Sequence, residues 1–230
     1  MNTFARPVET KRLAFIPKIS AATAQPKKVF FESDKLNSGV ISEMICRPQS
    51  IFYKNAQQFF RNAIAAGKKL DLIDKVAMQQ AIIQYNHALE ECPDNFYVLG
   101  DLGFCYFLLK DFQKSLDYYS RAVEISPNHQ LCQVYYNDMG TIYLETGDTA
   151  LALRYYTNAI ELMNQSSYAS SKSTFAYKNR ALLYSKLGRH KEALADINRA
   201  LDLEPHGRYN RIYLRIKNEI LQASREIHHC

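Results

Sequence analysis

Tryptophan is absent from this 230-residue chain, and glycine and proline are scarce, at 8 and 7. So few turn formers argue against an all-β fold, which needs many tight turns. No apolar run approaches the roughly 18 residues that cross a bilayer, so no membrane span is expected. The N-terminus is basic but lacks a continuous apolar stretch and a small-residue cleavage site, which argues against a secretory signal. Five cysteines (Cys46, Cys92, Cys105, Cys132 and Cys230) are scattered, with no C-x-x-C pair. This odd set fits free thiols in a reducing, cytoplasmic setting better than a disulfide framework or a zinc site. Catalytic signatures are missing as well: there is no G-x-S-x-G, H-E-x-x-H, G-x-x-x-x-G-K or G-x-G-x-x-G. The chain does not read as an enzyme, and neither a cofactor nor a metal is implied. His228, His229 and Cys230 read as a frayed terminus rather than a metal site.

Apolar residues make up 47% of the chain and charged residues 23%, ordinary values for a soluble globular protein, and tyrosine is abundant at 16. The net charge of +6 is unevenly placed. Residues 1–49 hold eight Lys/Arg against four Asp/Glu, and so carry +4 of it. The basic character therefore belongs mainly to this segment, and nucleic-acid binding by the rest is not expected. Pro7, Pro17, Pro26 and Pro48 interrupt any helix within residues 1–49, which read as a flexible basic tail. Two alternatives attach to it. One is an organelle-targeting segment, favoured by six basic residues and one acid in the first 30, and opposed by Pro7 and Pro17. The other is a partner-binding linear motif around Leu13–Ile19.

From about residue 50 onward apolar residues recur at three- and four-residue steps, as amphipathic helices require. These helices repeat. Small residues stand at Ala81, Ser115, Ala152 and Ala193, each followed four positions later by Tyr85, Tyr119, Tyr156 or Ile197. Three further on come Ala88, Ala122, Ala159 and Ala200, and five beyond those Pro93, Pro127, Asn164 and Pro205. Upstream, Gly103, Gly140 and Ala181 lie twelve residues before their small partners, with Tyr106, Tyr143 and Tyr184 three residues later. Successive blocks are 34, 37 and 41 residues apart. A pair of crossing helices explains the pattern: small residues sit where backbones approach, large ones fill the space beside them, and proline ends the pair. Gly103 is expected to face Ser115. Gln130–Cys132 and the polar stretch Ser167–Ser173 read as loops inserted between repeats.

On these residues the chain resembles the tetratricopeptide repeat family, built of stacked 34-residue helix–turn–helix units. The resemblance implies an all-α fold, a right-handed superhelical solenoid. Four repeats are expected over 50–207: a degenerate one at 50–95, then 96–129, 133–166 and 174–207. Residues 208–230 hold a capping helix and the C-terminal end, with Ile212, Ile216 and Ile220 on the covering face.

The resemblance further implies a non-catalytic protein-interaction module, an adaptor, scaffold or chaperone-like protein. Its partner, an extended peptide or helix, would lie on the concave side lined by the first helix of each pair. The implied contact residues are Tyr97, Asp101 and Phe104, then Asn137, Asp138 and Thr141, then Lys178, Asn179 and Leu182, with Tyr209 and Tyr213 from the capping helix. The asparagine amides would pair with a peptide backbone, and Phe104 would bury a side chain. Asp101 and Asp138 would favour a basic segment, Lys178 an acidic one. The two-carboxylate clamp for heat-shock chaperone C-termini is not expected. At its positions this chain has Gly100, Phe104, Asp138, Phe175 and Asn179, or, one repeat on, Asn137, Thr141, Asn179, Tyr209 and Tyr213. The alternative functions are a regulatory or recruiting subunit of an enzyme complex, and a secretion chaperone.

Overall fold

The computed structural model describes residues 50–65, 73–165 and 174–226. The basic segment 1–49, the Ser167–Ser173 insert and the terminal His228–Cys230 lie outside the described residues, and so do the expectations attached to them. Every regular element among the described residues is a helix: α1 (Ile51–Ala65), α2 (Lys75–Glu91), α3 (Phe96–Leu108), α4 (Phe112–Ile125), α5 (Cys132–Glu145), α6 (Thr149–Gln165), α7 (Thr174–Lys186), α8 (His190–Leu203) and α9 (Asn210–Glu226).

The helices pack as consecutive pairs, α1 with α2, α3 with α4, α5 with α6 and α7 with α8. Each pair stacks on the next, and α9 closes against α8. The first helices α3, α5 and α7 also touch one another in series, so they line a common side. The result is an all-α repeat solenoid.

Local chemistry sets the boundaries. Asp74 opens α2 by accepting from the backbone N–H groups of Val76 and Ala77, at 2.9 and 3.1 Å. Asn95 does the same for α3 through Tyr97 and Val98. Asp148 accepts from Leu151 N at 3.0 Å in the first turn of α6. These bonds satisfy donors that a helix start leaves unpaired. The second helices α2, α4 and α8 stop two residues before Pro93, Pro127 and Pro205, which cannot continue them.

Inside the pairs the small residues are packed out of solvent. Ala81, Ser115, Ala152 and Ala193 are fully buried, as are Tyr119 and Ile197, with Tyr85 and Tyr156 nearly so. Ser115 faces Gly103 as expected, its hydroxyl donating to the Gly103 carbonyl at 2.8 Å. The glycines have a further reason. A Cβ on Gly103 would stand 2.5 Å from the Tyr119 ring, and one on Gly140 2.7 Å from the Tyr156 ring. Where the later pair carries Ala181 in place of glycine, it carries Ile197 in place of tyrosine, so volume is conserved.

Two expectations need correction. In α9 the buried face is Tyr213, Ile216 and Ile220, whereas Ile212 is 41% exposed. A strict four-residue step drifts off the buried stripe because a helix turns in 3.6 residues, and Tyr213, one position on, takes the covering place. Cys105 and Cys132 are buried free thiols, but Cys92 is disulfide-bonded, so free thiols do not hold for every cysteine.

Candidate protein-binding groove

The side lined by the first helices carries a cavity of about 390 Å³. From α5 come Asn137, Asp138, Thr141 and Leu144, and from α7 Phe175, Lys178, Asn179, Leu182, Leu183 and Lys186. Phe107 of α3 and Tyr156 of α6 complete the lining. Helical spacing produces this gathering: residues three and four apart on α5 and α7 stack on one face, and α5 and α7 lie side by side.

Six of the residues picked out from the sequence meet here: Asn137, Asp138, Thr141, Lys178, Asn179 and Leu182. A hydrogen-bonded chain holds the polar ones. Tyr119 of α4 donates its hydroxyl to Asp138 at 2.9 Å. Asn137 Nδ2 donates to the same carboxylate at 3.2 Å, and Asn179 Nδ2 donates to Asn137 Oδ1 at 2.9 Å. The chain crosses three helix pairs and fixes the orientation of both amides. Thr141 shares a hydrogen bond with the Tyr156 hydroxyl at 3.2 Å, which accounts for Tyr156 reaching the groove from a second helix. The asparagines are thus bonded to each other, not simply held out to solvent. Each amide offers two hydrogens and two lone pairs, so capacity remains on both.

The other five residues lie outside this cavity. Tyr213 is 0% exposed and shares a 2.7 Å hydrogen bond with Thr174. It is a core residue and not a contact residue: the α9 register turns it inward. Tyr209 packs edge-on against Phe175, 4.8 Å between ring centroids. Phe104 lies between Phe60 and Phe107, at 5.8 and 6.2 Å. Phe107, on the same helix, is the aromatic that reaches the groove. Tyr97 is partly exposed and meets the His129 ring edge-on at 5.7 Å. Asp101 is engaged within the fold. Burial pushes its carboxyl up to about 6, and the hydroxyls of Tyr85 and Tyr53 beside it draw the value part of the way back. Tyr85 stands to Asp101 as Tyr119 stands to Asp138, so both acids serve the packing between pairs. The expectation that Asp101 faces a basic segment is corrected accordingly, whereas Asp138, though hydrogen-bonded, still lines the cavity.

Sequence reading missed a staple between pairs. Arg180 holds Asp196 through two bonds, at 2.7 and 2.8 Å, and also donates to Thr157 at 2.9 Å. The side chains are only 15% and 8% exposed. Asp196 occupies the position of Tyr118 and Tyr155 in the earlier blocks, and that departure from the repeat was the available signal. Among the described residues, no group of three or more His, Cys, Asp or Glu side chains could hold a metal ion. No helix among them is long and apolar enough to cross a membrane.

A stack of antiparallel helix pairs with a lined groove along its first helices defines a class, the helical-repeat solenoids. Residues 95–165 and 130–204 match the family model described as tetratricopeptide repeat. The chain is a tetratricopeptide repeat protein. It is similar to human serine/threonine-protein phosphatase 5, 29% identical over 117 residues that cover 51% of this chain and 21% of that protein. It is also similar to BBSome complex member BBS4 of Bos taurus, 27% identical over 151 residues covering 66% and 25% of the two chains. The chain thus spans about a fifth to a quarter of the length of these curated relatives. Among solved structures, BtubC (BKLC) from P. vanneervenii shares the fold with a TM-score of 0.60 and 16% identity, over 75% of this chain and 81% of that one.

Proposed function

We propose that this protein-interaction module holds an extended segment of a partner protein in the groove between α5 and α7. The observation that carries the reading is the meeting of oriented amides and apolar surface in one open cavity. Asn137 and Asn179 are fixed by the chain from Tyr119 and keep unused hydrogen-bonding capacity. That capacity suits a peptide backbone, which offers a donor and an acceptor at each residue. Phe107, Leu144 and Leu182 beside them offer surface on which side chains lose contact with water. An array whose core is already packed presents this surface preformed, so little ordering cost falls on the protein when it binds.

A second reading is a recruiting or regulatory subunit, in which the bound segment belongs to an enzyme or a larger assembly. The likeness to a protein named as a BBSome complex member favours it. One experiment addresses both. A photo-crosslinking amino acid is placed at Leu182 in the groove and, separately, at Ile83, exposed on α2. We expect a partner protein to be captured from Leu182 and not from Ile83, and its identity then separates the readings. Capture from Ile83 alone, or equally from both, would reject the groove.

A further inference from the structure

Among the described residues, the groove holds a half-buried charge with no ion-pair partner. Lys178 is half-buried on α7, with its Nζ 5.3 Å from the centroid of the Phe175 ring. Among the described residues, every ion pair is made by another cation, and no carboxylate comes within salt-bridge reach of Lys178. Burial holds its amine below the usual lysine range, with no neighbouring acid to offset it. The contrast with its neighbour in sequence is plain, since Arg180 is locked to Asp196. Asp138 lines the same cavity, but its oxygens are occupied by Tyr119 and Asn137.

A partly dehydrated cation is costly unless an anion joins it, and a carboxylate entering such a site recovers more than it would from a lysine in open water. We propose that Lys178 is an acid-selecting subsite: it binds the side-chain carboxylate of an internal Glu or Asp of the partner segment, whose apolar neighbours rest on Phe107 and Leu182. The proposal rests on the groove reading above and adds to it the charge of the ligand. A carboxylate fits better than a phosphate because Asp138 lines the same cavity, and a doubly charged group meets twice the repulsion.

Eight-residue N-acetylated peptides test this on the full chain. Four libraries carry Leu, Ile and Phe mixed around a fixed central residue. Three are C-amidated, with Glu, Gln or phosphoserine at the centre, and the fourth has Gln with a free C-terminal carboxylate. At pH 7.5 and low salt we expect the Glu library to be retained about tenfold better than its Gln counterpart, the worth of one charge-assisted hydrogen bond. Lys178→Met should remove that preference, and because it takes away an unpaired, partly dehydrated cation it should lower neither the unfolding midpoint nor the retention of the Gln library. Leu182→Asp should abolish retention of every library. Equal retention of Glu and Gln, stronger retention of phosphoserine or of the free terminus, or a Glu preference that survives Lys178→Met would each overturn the subsite while the groove stands. Retention indifferent to Leu182→Asp, or no retention of any library, would overturn the groove reading and the subsite with it.

Discussion

Asp101 shows how a single residue changes meaning between sequence and structure. In sequence it is an acid on the ligand-facing helix. In the fold it is enclosed beside Tyr53 and Tyr85, and its carboxyl is raised from the ordinary 3.8 to about 6, burial being the largest cause. The folded state therefore takes up a proton more readily than the unfolded chain. The stability this gives is fully present below about pH 4 and is lost as pH rises through about 6. A shift near two units corresponds to about 3 kcal/mol of penalty for the ionised form at neutral pH. Asp101→Asn keeps an acceptor for a tyrosine hydroxyl and removes the charge. It should raise the unfolding midpoint at pH 7.5, with the gain shrinking towards pH 5. An unchanged midpoint at pH 7.5, by thermal scans across this range, would show that the carboxylate is not penalised. The small residues at the helix crossings were legible beforehand, because they recur at fixed spacing where two backbones approach. The tyrosine–acid pairs were not, because periodicity marks a helix face but not what the neighbouring pair brings to it.

The elements owe their regularity to a turn used three times. α3, α5 and α7 each end in a left-handed residue: Lys110 at φ 60°, Gly147 at φ 89° and Gly188 at φ 72°. In each case the next N–H, of Asp111, Asp148 or Arg189, reaches back to Tyr106, Tyr143 or Tyr184, at 2.8–3.0 Å. This closure satisfies carbonyls that the helix end leaves open, and it favours glycine because a Cβ strains the left-handed region. Lys110 carries that strain alone. Its ion pair with Glu145 is long, 3.7 Å, and solvent-exposed, so it offsets little. Lys110→Gly should therefore stabilise the protein by about 0.5–1 kcal/mol, less whatever glycine adds to the freedom of the unfolded chain. Chemical denaturation measures it, and a loss of stability would mean that the lysine side chain contributes more than its backbone costs. Helix pairs of this kind are readable from small, large and proline residues at fixed spacing. The face of α9 was misread because no repeat partner fixes its register: Ile212 is exposed and Tyr213 buried.

At the scale of the molecule, each helix pair contacts its neighbours in the stack, so an end pair exposes an apolar face unless something covers it. Tyr213, Ile216 and Ile220 of α9 do this for α8, joining Ile197 and Ala200 in one cluster with Leu194 and Leu201 beside it. Truncation after Gly207 should cause aggregation or a strongly lowered midpoint. A soluble, monomeric truncation with the full-length midpoint would contradict the role given to α9. The groove is likewise a property of the assembled stack, since no single pair contains it. About half of its contact residues were readable, because their helix face follows from the repeat. The inward turn of Tyr213 depends on packing between pairs, which spacing within a pair does not reveal.

The central claim is that the face made by α3, α5 and α7 binds the partner. Its most direct test is the affinity of the full chain for the partner captured from Leu182, measured at fixed salt on a Phe107→Ala, Asn137→Ala, Leu182→Ala variant. The variant must remain folded by its unfolding midpoint, with Ile83→Ala as the control. Loss of a buried aromatic, an amide contact and a leucine should together weaken binding by about 3 kcal/mol or more, over a hundredfold, with the control unchanged. Undiminished affinity in the folded triple variant would contradict the account and move the binding surface elsewhere on the protein.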